Sequence, residues 1–206
     1  MIPVTIVTPT VEERRPLLHE LGQSIAKQTV RPYEWVVKTD WDRVGPAKIV
    51  NDLVANADTP WVFRCDDDDL FDPNHFEVIG DYLNGDFDIV YSWPRVDPPG
   101  WIGVDGLQVI MPMDRIWDVN WIASAAAVKT ELWDHLGGYR DVPNEDHDLW
   151  QRAHHAGAKF LCIPRVTWTY RLGDWPHLSQ PEQIHNPPIL PACRYTPLTN
   201  RIRYNS

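Results

Sequence analysis

Cysteine is scarce. Cys65, Cys162 and Cys193 stand in unrelated contexts across 206 residues. An odd count with no C-x-x-C pair argues against a disulfide framework and a cysteine-bound zinc, and reduced thiols point to a cytoplasmic protein. Positive charge is also short: 19 Lys and Arg face 29 Asp and Glu, for a net charge of −10 and a pI near 5.1. That balance counts against a protein that grips duplex nucleic acid through a broad basic face. Long apolar runs are missing, so nothing reads as a membrane-spanning helix. The opening "MIPVTIVTPT" is short, has no basic residue and meets Glu12 and Glu13 almost at once. It is expected to be a first strand rather than a signal peptide. Glycine is absent from "TPTVEERR", which counts against a glycine-rich phosphate loop after that strand.

What is present fits a soluble α/β protein. A 43% hydrophobic and 23% charged composition is globular, and the length suits one well-filled core. Eleven tryptophans either line a site for sugars or bases or, more blandly, pack the interior. "VTIVTPT" reads as a strand, and Leu17, Leu18, Leu21 and Ile25 follow at helical spacing. "YEWVVKTD" is a second strand, "PAKIVNDLVANA" a second helix and "WVFRC" a third strand. This β-α-β-α-β order predicts parallel strands, with a ligand crevice beyond their carboxyl ends. Thr8 to Thr10, Asp40 and the run Asp66 to Asp69 all fall at such ends. Later come a helix in "NHFEVIGDYLNG", a strand in "FDIVYSW" and a Pro- and Gly-rich flap in "PRVDPPGWIGVDG". A strand-into-helix passage in "WIASAAAVKTELWDHLGGY" precedes a helix in "NEDHDLWQRAHHAG", capped by Asn144 and stopped at Gly157. "KFLCI" and "VTWTYR" close the core as strands. One domain over residues 1–172 is expected, with a Pro-rich extension over 173–206 that wraps it or attaches loosely.

Two acidic clusters stand out. "RCDDDDLFDP" sets four carboxylates in a row after an apolar strand. Two unit charges about 4 Å apart at an effective dielectric near 20 oppose each other by roughly 4 kcal/mol, so a bound cation is expected to offset them. In an extended segment Asp66 and Asp68 share one side and Asp67 and Asp69 the other. Paired carboxylates with phosphate partners suit Mg²⁺ or Mn²⁺. Acidic runs are more often solvated loops, but a strand end inside a crevice favours the ion. In "NEDHDLW", acids in a first helical turn gain about 0.3–1 kcal/mol from the helix dipole. Asp146 precedes Leu149 and Trp150 by three and four residues and so shares their inward face. Asp148 is turned about 200° from it. An inward carboxylate whose pKa is lifted by burial and by neighbouring acids is suited to general-base work. His154 and His155 point about 100° apart and cannot easily chelate one ion. Lys48 is either a phosphate contact or an exposed helix lysine.

In order and spacing these pieces resemble the family 2 inverting glycosyltransferases, some of them small and viral. They are "VTIVTPT", "QSIAKQTVRPYEWVVKTD", "FRCDDDDLFDP" and "GGYRDVPNEDHDLWQRAHHAG", within roughly residues 2–172. The resemblance implies a GT-A fold, Rossmann-like, with a mostly parallel central sheet flanked by helices. It implies that Thr8, Pro9 and Thr10 line the nucleotide pocket and that Asp40 hydrogen-bonds the base, commonly uracil. Asp66 and Asp68 resemble the Asp-x-Asp pair, the first near the ribose and the second on Mn²⁺ or Mg²⁺, with Asp67 between them in the donor site. Asp146 is similar to the general base, with Glu145 beside it to orient the acceptor or adjust its pKa. Two departures matter. The usual Tyr-Asn-Arg after the first strand is replaced by "VEERR", leaving Glu12 and Arg14 as substitutes. The His expected two residues after a Tyr-Arg pair is replaced by Gly173, so His177, Asp174 or water completes the metal shell.

The activity implied is metal-dependent, inverting transfer of a hexose or pentose from a nucleotide-sugar, with UDP the expected nucleotide. The acceptor stays open among a glycan, a lipid carrier, a protein, another hydroxylated molecule and a hydroxymethylated base in DNA. For the last of these, Arg194, Arg201 and Arg203 offer a local basic patch, and a viral member would work in the host cytoplasm. Two rivals remain: nucleotidyl transfer on a related α/β fold, and a non-catalytic module that binds a cation or sugar.

Overall fold

A computed structural model describes residues 1–97, 108 and 110–173. Strand β1 (Ile2–Thr10) is buried continuously from Val4 to Thr10, as a central parallel strand covered on both faces should be. Helix α1 (Arg15–Ala26) has proline in its first turn and buries Leu21 and Ile25. Proline fits there because its missing N–H would have had no partner. Strand β2 (Pro32–Thr39) lies parallel to β1 at the sheet edge, α2 (Pro46–Val54) follows, and β3 (Trp61–Arg64) pairs parallel with the other side of β1. The β-α-β-α-β unit expected from the sequence is therefore present.

The chain continues through β4 (Leu70–Phe71), α3 (His75–Gly80), β5 (Ile89–Asp97), β6 (Ala126–Lys129), α4 (Thr130–Leu136), α5 (Glu145–His155) and β7 (Phe160–Arg171). The sheet order is β2-β1-β3-β6-β5-β7-β4. Strands β4 and β6 run against the rest, and all other pairs are parallel. One apolar layer packs Val50, Leu132, Leu149 and Trp150 of α2, α4 and α5 on the sheet, and the other packs Leu21, Phe76 and Ile79 of α1 and α3. Trp121, Trp150 and Trp168 are wholly buried, so these three serve packing. Among the described residues no helix is long and apolar enough to cross a membrane.

Three local expectations change. "KFLCI" and "VTWTYR" form one strand, β7, whose register slips between the partners of Ser92 and Trp93. Pro164, Arg165 and Val166 are exposed at that slip, where a bulge tolerates a proline that a regular ladder would not. Helix α3 is regular only over His75–Gly80, half of the span anticipated. Pro94 to Asp97, expected as loop, belong to β5, while residues 98–106 of the anticipated flap lie outside the described residues. So do residues 174–206, with Asp174, His177, Cys193 and the three late arginines.

Candidate active site

The carboxyl ends of β1, β2 and β3 meet. Asp40 N–H donates to the Thr10 carbonyl at 2.8 Å, and Cys65 N–H donates to the Val7 carbonyl at 3.1 Å. Thr10 Oγ1 donates to Asp67 Oδ2 at 2.5 Å, tying the first strand to the acidic run. Thr8 is fully buried and accepts Trp35 Nε1–H at 3.0 Å, and Pro9 beside it is buried too. Asp40 accepts the amides of Val44 and Gly45 at 2.9 and 2.8 Å. It thus braces the loop into α2, while each oxygen keeps acceptor capacity.

The acidic run is not extended. Asp69 N–H reaches back to the Asp66 carbonyl at 3.2 Å, closing a turn before β4. Strict alternation of side chains therefore does not apply, because it requires extended backbone. The repulsion within the run is offset in part from within the protein, by arginines that the sequence expectation did not include. Arg14 pairs with Asp68 and lies 3.2 Å from Asp67. Arg64 donates to Asp66 at 3.0 Å, and Arg171 donates through Nε to the Asp68 carbonyl and through its amide to Asp69. Burial pushes Asp67 up to about 6, against the opposing pull of the Thr10 hydroxyl and Arg14. Burial likewise drives Asp69 well above the ordinary carboxylate range, aided by Asp68 and Asp66. Glu12, named with Arg14 as a substitute for the Tyr-Asn-Arg segment, pairs with Arg15 at the surface.

The second acidic cluster faces the first through Arg64. That guanidinium, only 8% exposed, donates to Asp66 at 3.0 Å and to Glu145 at 2.7 Å. It also lies 5.2 Å from the centre of the Tyr139 ring, within cation–π range. Burial works against its charge, but Asp66, Tyr139, Glu145 and Asp146 outweigh it and raise its pKa. Asp146 is half-buried. Desolvation and the Glu145 charge lift its carboxyl to about 6, with Arg64 opposing. Helix α5 places these acids by an unexpected start: Asn144 is left-handed at φ 54° and its side chain makes no capping bond. Asn is one of the few side-chain-bearing residues that adopt this conformation routinely. Asp148 is buried rather than outward, held by Arg152 at 2.7 Å and Arg140 at 3.4 Å. Its side of α5 is covered because Arg152 also donates to carbonyls of Leu136 and Gly138. His154 and His155 are partly buried, with Trp117 near both. Lys48 is exposed beside Asp52.

Sequence reasoning found the acids and overlooked the groups between them. Arg64, Ser124, whose hydroxyl donates to Asp66 at 3.2 Å, Tyr139 and Tyr170 were not singled out. Tyr170 has a raised pKa, first from burial and then from Asp69, Asp66, Asp146 and Asp68. Its place in the Tyr-Arg pair was the available signal.

Among the described residues no three His, Cys, Asp or Glu side chains form a ready metal cage. Mg²⁺ bound with nucleotide phosphates needs only one or two protein carboxylates, however. Asp66 and Asp68 have side chains 24% and 12% exposed, against 0% for Asp67, and Asp69 is also buried. The pair that reaches solvent thus fits a hard divalent ion arriving with phosphates.

The sequence matches no protein-family model, and no curated protein matches it. In three dimensions the chain is similar to S. aureus TarS 1–349 in complex with UDP-GlcNAc. The TM-score is 0.71 at 12% identity, covering 86% of this chain and 60% of that one. The same TarS segment with UDP gives 0.67 at 13% identity, covering 83% and 61%. Mannosyltransferase PcManGT from Pyrobaculum calidifontis, in complex with GDP-Man and Mn²⁺, gives 0.64 at 19% identity, covering 84% and 57%. The chain spans about 60% of the length of these neighbours. At such identities the likeness is one of fold, and that fold is of the GT-A type.

Proposed function

We propose that this protein is a glycosyltransferase that moves a sugar from a nucleotide-sugar to an acceptor hydroxyl, with inversion at the anomeric carbon. The observation that carries the proposal is the Arg64 bridge, 3.0 Å to Asp66 and 2.7 Å to Glu145. It sets the acids of the strand ends, of which Asp66 and Asp68 reach solvent only in part, opposite the half-buried acid of α5 on a GT-A fold. The fold neighbours were obtained with UDP, UDP-GlcNAc or GDP-Man, which supports a nucleoside-diphosphate sugar, a UDP-sugar first, as donor.

In this reading Thr8, Pro9, Thr10 and Asp40 border the nucleotide, with Asp66 and Asp67 at its ribose and phosphates. Asp66 and Asp68 would hold Mn²⁺ or Mg²⁺, which as a Lewis acid would neutralise charge on the departing nucleoside diphosphate. Asp146 removes the proton of the acceptor hydroxyl as that oxygen attacks the anomeric carbon from the face opposite the diphosphate. A carboxylate lifted to about 6 is ionised at neutral pH yet basic enough to share that proton. Glu145 is positioned by Arg64 next to the base and contributes to the lift of Asp146. The acceptor is a glycan, lipid, protein or other hydroxyl-bearing molecule, ahead of a modified DNA base given the net charge of −10. A reducing, cytoplasmic setting goes with free Cys65 and Cys162.

Calorimetry with UDP and GDP, with and without Mn²⁺, tests the reading, followed by a screen of nucleotide-sugars for metal-dependent hydrolysis. Nucleotide binding that strengthens with Mn²⁺ is the expected result. Absence of any metal-dependent nucleotide binding would leave a cation- or sugar-binding module as the better account.

A further inference from the structure

Among the described residues the seven-stranded sheet ends at β2, an eight-residue strand whose outer edge pairs with no other strand. An open edge of that length is a template for a further strand, whereas β4 at the opposite edge has only two residues. Beyond the register slip between Ile2 and Thr5, β2 pairs with β1 without a break from Glu34 to Thr39. Backbone groups in such a ladder point alternately to its two sides. Asp40 N–H reaches β1, donating to the Thr10 carbonyl at 2.8 Å, so Glu34, Val36 and Lys38 also turn their backbone toward β1. Trp35, Val37 and Thr39 turn theirs to the open edge. The side chains there are apolar as well as polar: Tyr33 is 56% exposed and Val37 38%. A lysine is a usual defence of an open edge, but the Lys38 ammonium is drawn to Asp52 of α2 at 2.7 Å.

We propose that β2 is a self-association edge, on which a second copy of this chain pairs antiparallel about Val36 and joins the two sheets into one. A two-fold axis requires the antiparallel direction, and outward backbone groups must meet outward ones for the bonds to form. With Val36 opposite its own copy, Trp35 exchanges bonds with Val37 of the second copy, and the exposed Val37 side chain is covered by that tryptophan. Glu34 then stands opposite Lys38 of the second copy, twice over by symmetry. The neighbouring registers lose this charge match. Centring the pair on Trp35 sets Glu34 against Val36 and Lys38 against Pro32, and centring it on Val37 sets Glu34 against Asp40. An ammonium has three donors, so Lys38 serves both Asp52 and the incoming Glu34. A contact of one strand buries less than a standard interface, which places the association in the weak, reversible class.

Sedimentation velocity of the full chain, from micromolar to submillimolar concentration, tests the pairing together with amide hydrogen exchange. Wild type is expected to pass from monomer to dimer as concentration rises, with the Trp35 and Val37 amides gaining protection in step. Glu34→Lys sets like charges opposite each other and weakens the dimer by on the order of tenfold. The swap Glu34→Lys/Lys38→Glu restores opposite charges and recovers most of that loss, which no general effect on folding would do. Val37→Pro removes an amide that faces the open edge and leaves the β1–β2 ladder its bonds, so it abolishes the dimer; should it fail to fold, the charge swap carries the test. A wild type that stays monomeric overturns the proposal, and protected Trp35 and Val37 amides in that monomer would mean that another segment of the chain covers the edge. A dimer indifferent to Val37→Pro forms elsewhere, and one lost in Val37→Pro but indifferent to the charge changes uses another register; both outcomes overturn the pairing about Val36.

Discussion

A carboxylate that must take a proton at neutral pH has to be a stronger base than an aspartate in water, and Asp146 is made one by its surroundings. Desolvation and Glu145 raise its pKa from 3.8 to about 6, while Arg64 restrains the rise. If Asp146 is the base, the rate of transfer is low when it is protonated, so kcat rises with pH through an acid limb near 6 rather than near 4. Replacement of Arg64 by Gln removes the restraining charge and moves that limb to higher pH. Asp146→Asn keeps donor affinity and lowers kcat by about 10²–10⁴-fold, the usual worth of a general base. Rate profiles across pH 4.5–8 for the three proteins check this, and an Asp146→Asn enzyme with ordinary turnover removes the assignment. The acids were legible in the sequence because a carboxylate run at a strand end has no simple packing use. The arginines were not, since their partners lie far along the chain: Arg64 meets Glu145 and Arg14 meets Asp68 only after folding.

At the scale of elements, periodicity recovered the long helices and strands but not the short pieces that aim the site. Strand β4 has two residues, too few for an alternation to be seen, yet its pairing with Trp168 and Thr169 of β7 returns the acidic run to the sheet. Asn144 was legible as a helix start and illegible as a left-handed residue, because its conformation is dictated by the chain on either side. The passage from α4 to α5 is fixed by an equally non-local device. Asn51 of α2 donates to the Tyr139 carbonyl at 2.8 Å and accepts the Tyr139 amide at 2.9 Å. Gly138, at φ +70°, leaves room for it: a Cβ there would lie 2.4 Å from Asn51 Oδ1 and 2.8 Å from Trp133 Nε1. Gly138→Ala therefore imposes a strained backbone, costing about 1–3 kcal/mol, and pushes Asn51 off the segment that seats Tyr139 beneath Arg64. Thermal unfolding should show that loss together with reduced turnover. Wild-type stability in this variant would mean that the segment tolerates displacement and that Asn51 does not fix it.

At the scale of the whole molecule, buried titratable groups pull the pH dependence of stability in opposite directions. Asp67 and Asp146 have folded pKa values of about 6 against 3.8, so the native state holds more protons than the unfolded chain between those values. Their charged forms destabilise the fold above pH 6. Lowering the pH from 7.5 to 5 relieves about 1 kcal/mol for each, and Asp69 acts in the same direction. His75 does the reverse. Burial holds its imidazole neutral, with a pKa near 3 instead of 6.5, among Phe63, Phe71 and Phe76. Between those values the unfolded chain binds the proton and the native state does not, so the same acidification costs about 2 kcal/mol. His75 offsets a large part of the acids' contribution in wild type, and urea unfolding should show stability rising on acidification less steeply than the acids alone would give. Among the described residues only one ring nitrogen of His75 has a partner, the Thr167 hydroxyl at 2.8 Å, and that hydroxyl keeps Ser92 at 2.6 Å. Phenylalanine can therefore occupy the aromatic nest at little cost near neutral pH. In His75→Phe the opposing contribution is gone, and stability at pH 5 relative to pH 7.5 should exceed the wild-type difference by about 2 kcal/mol. If both proteins instead show the same change between the two pH values, His75 is not held neutral, and the balance between the aromatic nest and the acidic site has been misjudged.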